Sequence, residues 1–554
     1  MKRRDFLSLI PSGAALAGAG SPFDLGEPAG AQGGGAAAGS FELDEITIDE
    51  LQRAMQTGRY TARRITALYL GRIEALNRRG PELRAVIDTN PDALAIADAL
   101  DAERKAGKVR GPLHGIPVLL KANIGSADKL QTTAGSLALE HWSPPEDAYI
   151  AGKLRAAGAI LLGKANMSEW AGGRGLGRIG GWSGTGGQCR NPYVLDRNPQ
   201  GSSSGSGVGL SANFCMGAVG TDTGGSVTYP ASANGVCGMR PSMGLLSRAG
   251  IIPLSLSRDT AGPMARTVRD TAIMLGGMVG VDPEDPVTAD SAGHFHVDYT
   301  QFLIADGLKG ARIVVAREYF GGHPGGDALI EACMKIMKEH GAEFFDVTEG
   351  LSVASFQAEG GGGRAGGPGA PGGGGGSELK VELNKYLAKT PKDFPVRSLA
   401  DVIAFNERHK DRELQYYGQQ NLINGEKNGV DPSDPKVREA RVRQTMAARK
   451  AIDTALATHR ADAFIAPSLT PTFLTDYVMG DGRVVAPTIP CVTAGYPHLS
   501  VPAGYVHGLP VNISFMGPAW SEPVLFRLGY AFEQITKARK KPTFRPTLGD
   551  SIRT

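Results

Sequence analysis

The chain of 554 residues is poor in cysteine, histidine and net charge, and each shortage excludes a class of function. Its five cysteines are an odd number without a C-x-x-C pair, so they indicate neither a disulfide framework nor a zinc site, and buried free thiols are expected. The ten histidines show no H-E-x-x-H motif and no pair at helical ligand spacing, so no catalytic metal is predicted. A net charge of +3 is too small to predict a nucleic-acid partner.

Long hydrophobic runs are also lacking, and no segment beyond the N-terminus is apolar for long enough to span a bilayer. The N-terminus itself carries a targeting pattern. Residues 2–7 (KRRDFL) are typical of a twin-arginine signal, residues 6–19 are apolar, and Ala29-Gly30-Ala31 offers a cleavage site. We predict that residues 1–31 are a removed export signal and 32–40 a flexible segment, and that the protein is periplasmic or secreted without a stable membrane anchor. The alternative is a disordered tail with a chance Arg-Arg pair.

Alternating helix and strand patterns predict an α/β fold around a central mixed β-sheet flanked by α-helices on both faces. One short buried strand is expected to end at Lys121, and the apolar segment 208–219 is expected to form a buried helix. The helices are predicted at residues 46–79, 91–106, 148–157, 268–279, 328–340, 401–414 and 435–458. The other strands are predicted at residues 159–163, 311–316, 463–467, 499–502 and 511–516.

A glycine-rich segment interrupts the second half of the chain. Residues 360–376 are nearly pure glycine and cannot bury enough apolar surface to offset their ordering entropy, so a flexible surface insertion is expected there. We predict one domain over residues 41–545 that contains this insertion, followed by a tail at 546–554.

Two serine-containing runs rich in glycine are the most informative feature of the sequence. Residues 201–206 read GSSSGS and residues 220–226 read GTDTGGS. Glycine at such sites permits positive φ and a close approach of the backbone to a substrate. Consecutive backbone N–H groups in the second run could converge on one oxygen and stabilise an oxyanion. Two hydroxyls with Lys121 as a base would make a hydrolytic site that needs no histidine.

Two further patterns match known site motifs, but the residues that precede each of them do not have the secondary structure that the motif requires. Residues 201–205 match the G-x-S-x-G nucleophile elbow, but loop-forming residues precede them where the elbow requires a strand. Residues 175–180 match G-x-G-x-x-G but follow a polar stretch, so no dinucleotide site is predicted. Taken singly, Lys121 could extend from a strand end to solvent, and Ser202 and Ser226 could each cap a helix.

Several motifs together resemble the amidase signature family of serine hydrolases. The two runs match that family's pair of glycine–serine motifs, and Ser202 and Ser226 are separated by the 24 positions that the family shows. The resemblance covers about residues 41–545. Its other motifs are residues 115–121 (GIPVLLK), 163–170 (GKANMSEW), 186–193 (GGQCRNPY), 259–266 (DTAGPMAR), 495–499 (GYPHL) and 508–511 (GLPV).

The resemblance implies the amidase signature fold and a Ser–Ser–Lys triad without metal or cofactor. Ser226 would be the nucleophile, and Ser202, held on a cis peptide in this family, would bridge it to Lys121, a general base in its neutral form. Water would hydrolyse the acyl-enzyme after ammonia or an amine leaves. The implied oxyanion hole consists of the N–H groups of Thr223, Gly224, Gly225 and Ser226.

Departures from the family pattern concern substrate rather than mechanism. Gln200-Gly201 stands where the family has Gly-Gly, Ala122 stands where aspartate is common, and Ser226-Val227-Thr228 replaces S-I-R, so an arginine is missing there. Residues 201–206, 186–188 and 250–253 resemble the bacterial peptide amidase branch, which removes C-terminal amides from peptides. A peptide or small-molecule amide is therefore the expected substrate. A glutaminase subunit of a tRNA amidotransferase and a non-catalytic scaffold remain alternatives, and the sequence leaves the oligomeric state open.

Overall fold

The computed structural model describes residues 24–25, 41–351 and 378–549. The predicted glycine-rich insertion, the segment 32–40, most of the predicted export signal and the end of the predicted tail lie outside the described residues. Within the predicted signal, Asp24–Leu25 forms a short strand that pairs in parallel with Tyr505 and Val506.

The described residues form one large mixed sheet and a separate two-stranded ribbon. The strands are β1 (Asp24–Leu25), β2 (Val86–Thr89), β3 (Pro117–Lys121), β4 (Ile160–Ala165), β5 (Trp182–Ser183), β6 (Gly187–Gln188), β7 (Gly217–Asp222), β8 (Cys237–Arg240), β9 (Thr260–Ala265), β10 (Arg312–Ala316), β11 (Glu343–Val347), β12 (Ala463–Pro467), β13 (His498–Val506) and β14 (Leu509–Met516). The large sheet runs in the order β11-β10-β12-β14-β13-β8-β9-β7-β3-β4-β2, with β1 beside β13, and β5 pairs with β6.

Helices pack around this sheet, so the predicted α/β architecture is confirmed. The α-helices of the described residues are α1 (Ile48–Gln56), α2 (Ala62–Asn77), α3 (Ala93–Lys105), α4 (Tyr149–Ala156), α5 (Ser204–Ser211), α6 (Thr228–Ala233), α7 (Val268–Gly276), α8 (Pro324–Glu339), α9 (Leu379–Leu387), α10 (Leu399–Arg408), α11 (Lys410–Glu413), α12 (Gln420–Asn428), α13 (Pro435–His459), α14 (Thr488–Ala494) and α15 (Glu522–Thr536).

The prediction of one buried helix over residues 208–219 is wrong in its second half. The helix α5 ends at Ser211, Asn213 takes a positive φ of 60°, and β7 begins at Gly217. Tertiary pairing decides the outcome, because β7 forms ladders with β3 on one side and β9 on the other. A buried apolar run has no surface-facing period that would distinguish a helix from a strand.

Two predicted helices are each divided in the structure. Residues 46–79 form α1 and α2, because Gly58 has a φ of +74° and Thr61 caps the N-terminus of α2 by accepting a hydrogen bond from the N–H of Arg64. Residues 401–414 divide into α10 and α11 at His409. The strand predicted at 463–467 has the observed bounds, and β3 ends at Lys121 as predicted.

The central strands place two predicted site segments at one edge of the sheet. Strands β3 and β7 are parallel neighbours, and Leu120 pairs with Val219. Because both strands run in the same direction, Lys121 at the end of β3 lies beside Thr221 and Asp222 at the end of β7. Every residue of both strands is buried. Ligands of open α/β sheets bind at the carboxyl ends of such strands.

A buried polar cluster attaches the helical segment α9–α12 to the sheet domain. Arg174 is fully buried and donates hydrogen bonds to Glu169 Oε1 (2.9 Å) and to the carbonyl of Tyr417 (2.9 Å). Its guanidinium also lies over the Tyr417 ring, 3.8 Å from the ring centre. Glu413 in α11 accepts a hydrogen bond from the Ser136 hydroxyl (2.9 Å). Burial raises the pKa of Glu169 well above its ordinary value, and the charge of Arg174 opposes that rise.

We predict that Arg174→Met lowers the free energy of unfolding by about 3–5 kcal/mol, because it leaves buried carboxyl groups without their cation. The matched control is Arg443→Met, which removes an exposed ion pair with Glu439 on α13 and should cost about 0.5 kcal/mol or less. Urea unfolding followed by circular dichroism measures both variants. Equal midpoints for the two variants would contradict the structural role of the cluster.

Candidate active site

Lys121 lies at the centre of the site, at the end of β3. Its side chain is fully buried, and Nζ lies 2.7 Å from the hydroxyl oxygen of Ser202. Nζ also donates to Thr221 Oγ1 (2.8 Å) and to the carbonyl of Thr221 (3.2 Å). The structure therefore brings together two of the three predicted catalytic residues, which are 81 positions apart in the sequence.

The environment of Lys121 favours its uncharged form. Burial lowers the pKa of Lys121 from 10.5 to about 7, because desolvation penalises the ammonium ion. The negative charges of Asp222 and Asp259 oppose this shift. Near neutral pH a large fraction of Lys121 is therefore the free amine, which can accept a proton.

Ser202 lies in the loop that leads into α5 and is almost fully buried. The peptide bond between Gly201 and Ser202 is cis. The Ser202 carbonyl accepts a hydrogen bond from the N–H of Ser168 (3.0 Å). A Cβ atom on Gly201 would lie 2.2 Å from the hydroxyl oxygen of Ser168, so this close approach requires glycine.

Ser226 lies in the turn that follows β7, beside the loop of Ser202. The N–H of Ser203 donates to the Ser226 carbonyl (3.0 Å), so one backbone hydrogen bond joins the two serine-containing runs. The side chain of Ser226 is half-buried, in contrast to the almost fully buried Ser202. Gly225, directly before it, has a φ of +103°, and a Cβ there would collide with the Tyr229 ring at 2.5 Å.

The Asp222 carboxylate fixes the shape of this turn. Its Oδ1 accepts a hydrogen bond from the N–H of Gly225 (3.0 Å), and its Oδ2 accepts one from the N–H of Val227 (2.8 Å). These two donors flank Ser226 on both sides. Arg240 neutralises the carboxylate, with Nη1 at 2.9 Å from Oδ1.

The four N–H groups expected in the oxyanion hole differ in whether they already donate a hydrogen bond within the protein. That of Gly225 donates to Asp222, whereas within the described residues those of Thr223, Gly224 and Ser226 have no acceptor. No atom lies within 4 Å of the position that a Cβ of Gly224 would occupy, so this part of the turn faces open space. The Thr223 hydroxyl donates to Asp259, whose pKa is raised by burial.

The residues that hold the catalytic candidates in place were not predicted from the sequence. Thr221 and Asp222 lie inside the second glycine–serine run, so their position in that run could have identified them as part of the site. Asn123 donates from Nδ2 to Thr221 Oγ1 (3.0 Å), and Arg240 reaches Asp222 from β8. Neither Asn123 nor Arg240 belongs to a motif that marks it as part of the site.

A narrow pocket opens beside Thr221 and Thr223. Its walls come mainly from the loop before β9, and they include Ile252, Pro253 and Leu254. Most of the exposed lining is apolar, but the cavity volume of about 10 Å³ is too small for a substrate group in this structure.

The structure also places the cysteines and the serine of the G-x-S-x-G match. The five cysteines are free and buried, as expected. Ser203, the serine of the G-x-S-x-G match, precedes α5 without a strand directly before it.

Within the described part of the chain, no group of three acidic, histidine or cysteine side chains could hold a metal ion. Over the same residues, no helix combines the length and apolarity that crossing a membrane requires.

Comparison with known proteins identifies the family. A family model described as Amidase matches residues 64–355. The solved structure of native peptide amidase from Stenotrophomonas maltophilia is 43% identical with a TM-score of 0.82, over 91% of this chain and all of that chain. A protein of Arabidopsis thaliana named as a probable amidase is 39% identical over 91% of this chain and 93% of its own length. A glutamyl-tRNA(Gln) amidotransferase subunit of Alkalilimnicola ehrlichii is 33% identical over 89% of this chain and 98% of its own length.

The family model contains the motifs between residues 115 and 266, and the relatives cover about nine-tenths of this chain. The chain therefore belongs to the amidase family and is an amide-hydrolysing enzyme, not the non-catalytic scaffold that its sequence left open.

Proposed function

We propose that this enzyme is an exported amidase that hydrolyses C-terminal carboxamides of peptides through an acyl-enzyme on Ser226. Ser202 and Lys121 relay the proton. The observation that carries the mechanism is the 2.7 Å contact between the buried Nζ of Lys121 and the hydroxyl of Ser202, beside the turn that bears Ser226.

The hydrogen-bond partners of Lys121 suit a neutral amine. Such an amine has two N–H donors and one lone pair. The two donors can go to Thr221 Oγ1 and to the Thr221 carbonyl, and the lone pair then faces the Ser202 hydroxyl. In this arrangement the Ser202 O–H donates to Lys121, and the Ser202 oxygen is left able to accept a proton from Ser226.

The reaction then proceeds in balanced steps. The Ser226 oxygen attacks the amide carbon while its proton passes to Ser202, and the Ser202 proton passes to Lys121. The relay returns a proton to the leaving nitrogen, the C–N bond breaks, and ammonia departs. Water, activated by the same relay, hydrolyses the ester and releases the carboxylate.

Backbone N–H groups of the turn stabilise the negative oxygen of each tetrahedral intermediate. Thr223, Gly224 and Ser226 supply the donors that have no acceptor within the described residues. Gly225, which the family resemblance also implies for this role, donates its N–H to Asp222 and so holds the turn in shape. Loss of one such donor typically costs about 3 kcal/mol of transition-state stabilisation.

Two observations support a peptide substrate. The first is the 43% identity to a peptide amidase along that protein's whole length. The second is a group of exposed apolar side chains on the loop after Thr472. Thr472 is tied to the loop of Ser202, because its Oγ1 accepts a hydrogen bond (3.2 Å) from the side chain of Gln200, two residues before Ser202. Val478 and Met479 on this loop are 89% and 79% exposed. Exposed apolar side chains on this loop offer contacts for apolar residues of a peptide substrate.

A second candidate is the glutaminase subunit of a tRNA amidotransferase, which the 33% identity to the amidotransferase protein of Alkalilimnicola ehrlichii favours. The higher identity to the peptide amidase and the export pattern favour the first candidate. Affinity purification of the tagged enzyme from its native cells separates the two. A stoichiometric partner protein together with tRNA-dependent glutaminase activity would support the amidotransferase.

The catalytic roles predict that Ser226→Ala and Lys121→Met each reduce ammonia release from an amidated dipeptide by about 1,000-fold or more. The nucleophile is lost in the first variant and the base in the second. Exposed residues of the same types provide the controls Ser433→Ala and Lys450→Ala, which should keep wild-type rates. Circular dichroism verifies folding, and undiminished release by a folded Ser226→Ala variant would refute the assignment.

The same assay tests the substrate class on the wild-type enzyme. We expect ammonia from the amidated dipeptide and a lower kcat/KM for benzamide, which lacks the peptide contacts. The unamidated dipeptide measures the background. Hydrolysis of benzamide alone would contradict the peptide substrate while it left the serine mechanism standing.

The contacts of Thr221 predict a positioning effect on Lys121. Thr221→Val removes an acceptor for Nζ and should lower kcat by about 10- to 100-fold with little change in KM, since one buried hydrogen bond is worth about 1–3 kcal/mol. Thr221→Ser keeps the hydroxyl and should stay close to the wild type. Steady-state kinetics on the amidated dipeptide measure both, and full activity of Thr221→Val would contradict this role.

The proposed export predicts that replacing Arg3 and Arg4 by lysine retains the protein in the cytoplasm of a bacterial host. Cell fractionation and N-terminal sequencing measure the outcome. For the unmodified chain we expect a periplasmic product that begins close to Ala31. A periplasmic fraction that does not depend on the arginine pair would count against the twin-arginine signal.

A further inference from the structure

Arg240 is a fully buried arginine at the end of β8, two strands away from β7 in the sheet. Its Nη1 donates to Asp222 Oδ1 (2.9 Å) and to the Asp222 carbonyl (3.0 Å). Its Nη2 donates to the carbonyl of Arg258 (2.8 Å). One guanidinium thus joins the end of β7 to the loop that carries Asp259.

Asp222 transmits this contact to the nucleophile turn. Both of its carboxylate oxygens are engaged, because Oδ1 accepts from Gly225 N–H and from Arg240, while Oδ2 accepts from Val227 N–H. A buried carboxylate is stable in its charged form only with such partners. If Arg240 were removed, Asp222 would lose its cation, and the turn that presents Ser226 would lose its anchor.

The residue that follows the nucleophile turn in this chain carries no charge. The motif that this chain resembles carries an arginine two residues after the nucleophile, and Thr228 stands in that place here. The Thr228 hydroxyl lies 3.5 Å from the Gly225 carbonyl and cannot supply a positive charge. In this chain the guanidinium that contacts Asp222 comes from Arg240 on β8.

We propose that Arg240 is a positioning residue for the reaction proposed above: it anchors Asp222 and thereby sets both the turn that presents Ser226 and the charge balance beside Lys121. This inference rests on the proposed function. Arg240 touches neither of the two serines nor Lys121, so its effect passes through Asp222.

The charged groups around Lys121 determine how strongly its ammonium form is stabilised. Asp222 on β7 and Asp259 before β9 raise its pKa, and Arg240 and Arg258 are the cations next to those acids. Arg248 lies near Asp259 and lowers the pKa of that carboxyl. The remaining titratable groups near Asp222 are neutral at pH 7: burial lowers the pKa of His498 to about 3 and raises those of Cys491 and Tyr229 to about 12.

Removal of Arg240 therefore leaves the charge of Asp222 without its cation close to Lys121. An uncompensated anion favours the ammonium form, so the pKa of Lys121 should rise. The base is active only when uncharged, so the acidic limb of the pH–rate profile should move to higher pH. Removing the charge of Asp222 itself should move the same limb to lower pH.

The test is the pH dependence of kcat/KM for the amidated dipeptide between about pH 5 and 10 in the wild type, Arg240→Met, Arg240→Lys and Asp222→Asn. For Arg240→Met we expect a 10- to 100-fold lower kcat at the optimum and an acidic limb about one pH unit higher. Arg240→Lys should keep the acidic limb at the wild-type pH, because lysine keeps the positive charge beside Asp222. It recovers kcat only in part, because one ammonium group cannot replace a guanidinium that bonds Asp222 through Nη1 and the Arg258 carbonyl through Nη2. The exposed control Arg443→Met should match the wild type.

Active-site titration with a fluorophosphonate counts the competent sites in each sample, so partial unfolding is separated from an altered site. If Arg240→Met does not fold, Arg240→Lys and Asp222→Asn still give different expectations for the acidic limb, which stays at the wild-type pH in Arg240→Lys and moves to lower pH in Asp222→Asn. A limb that stays in place in Asp222→Asn and in every folded Arg240 variant overturns the inference. Loss of the requirement for Ser226 would instead overturn the proposed function, so the two failures are distinguishable.

Discussion

The architecture of the site depends on one buried amine. Lys121 leaves the sheet at the end of β3, where solvent does not reach it, and among the described residues its amine hydrogen-bonds only to Thr221 and Ser202. Burial of a lysine is costly while it is charged. The fold tolerates it because the amine can give up its proton, and in that form its hydrogen-bonding capacity matches its surroundings. The chemistry proposed for this enzyme follows from that protonation state.

Glycines allow the rest of the chain to converge on this amine. The backbone at Gly201 passes so close to Ser168 that a single methyl group would collide, and Gly225 adopts a φ that side chains rarely take. Both positions adjoin a candidate catalytic serine. A carboxylate and a guanidinium, Asp222 and Arg240, then hold the turn at the end of β7 in one shape. The glycines make the close backbone approach possible, and the buried ion pair of Asp222 and Arg240 stabilises the turn that carries Ser226.

Much of this could be predicted from the sequence because the relevant signals are local. The run that ends in Lys121 has the length and apolarity of a buried strand, and the pair of glycine–serine runs is specific enough to identify the family. Long-range pairing could not be predicted in the same way. Residues 208–219 looked like one helix until the ladder with β3 made their second half a strand. The contact of Arg240 with Asp222 depends on the order of strands in the sheet, and the burial of Arg174 against Tyr417 depends on how a distant helical segment packs. No spacing in the sequence encodes either contact.

The central claim is that an uncharged Lys121 activates Ser226, and the most direct measurement is the rate at which a fluorophosphonate labels Ser226 as a function of pH. This rate reports activation of the nucleophile without substrate binding or product release. The account predicts that the rate rises with pH through a midpoint near 7, the pKa that burial gives to Lys121, and that the rise disappears in Lys121→Met. A midpoint near the ordinary lysine value of 10.5, or the same rise in Lys121→Met, would contradict it.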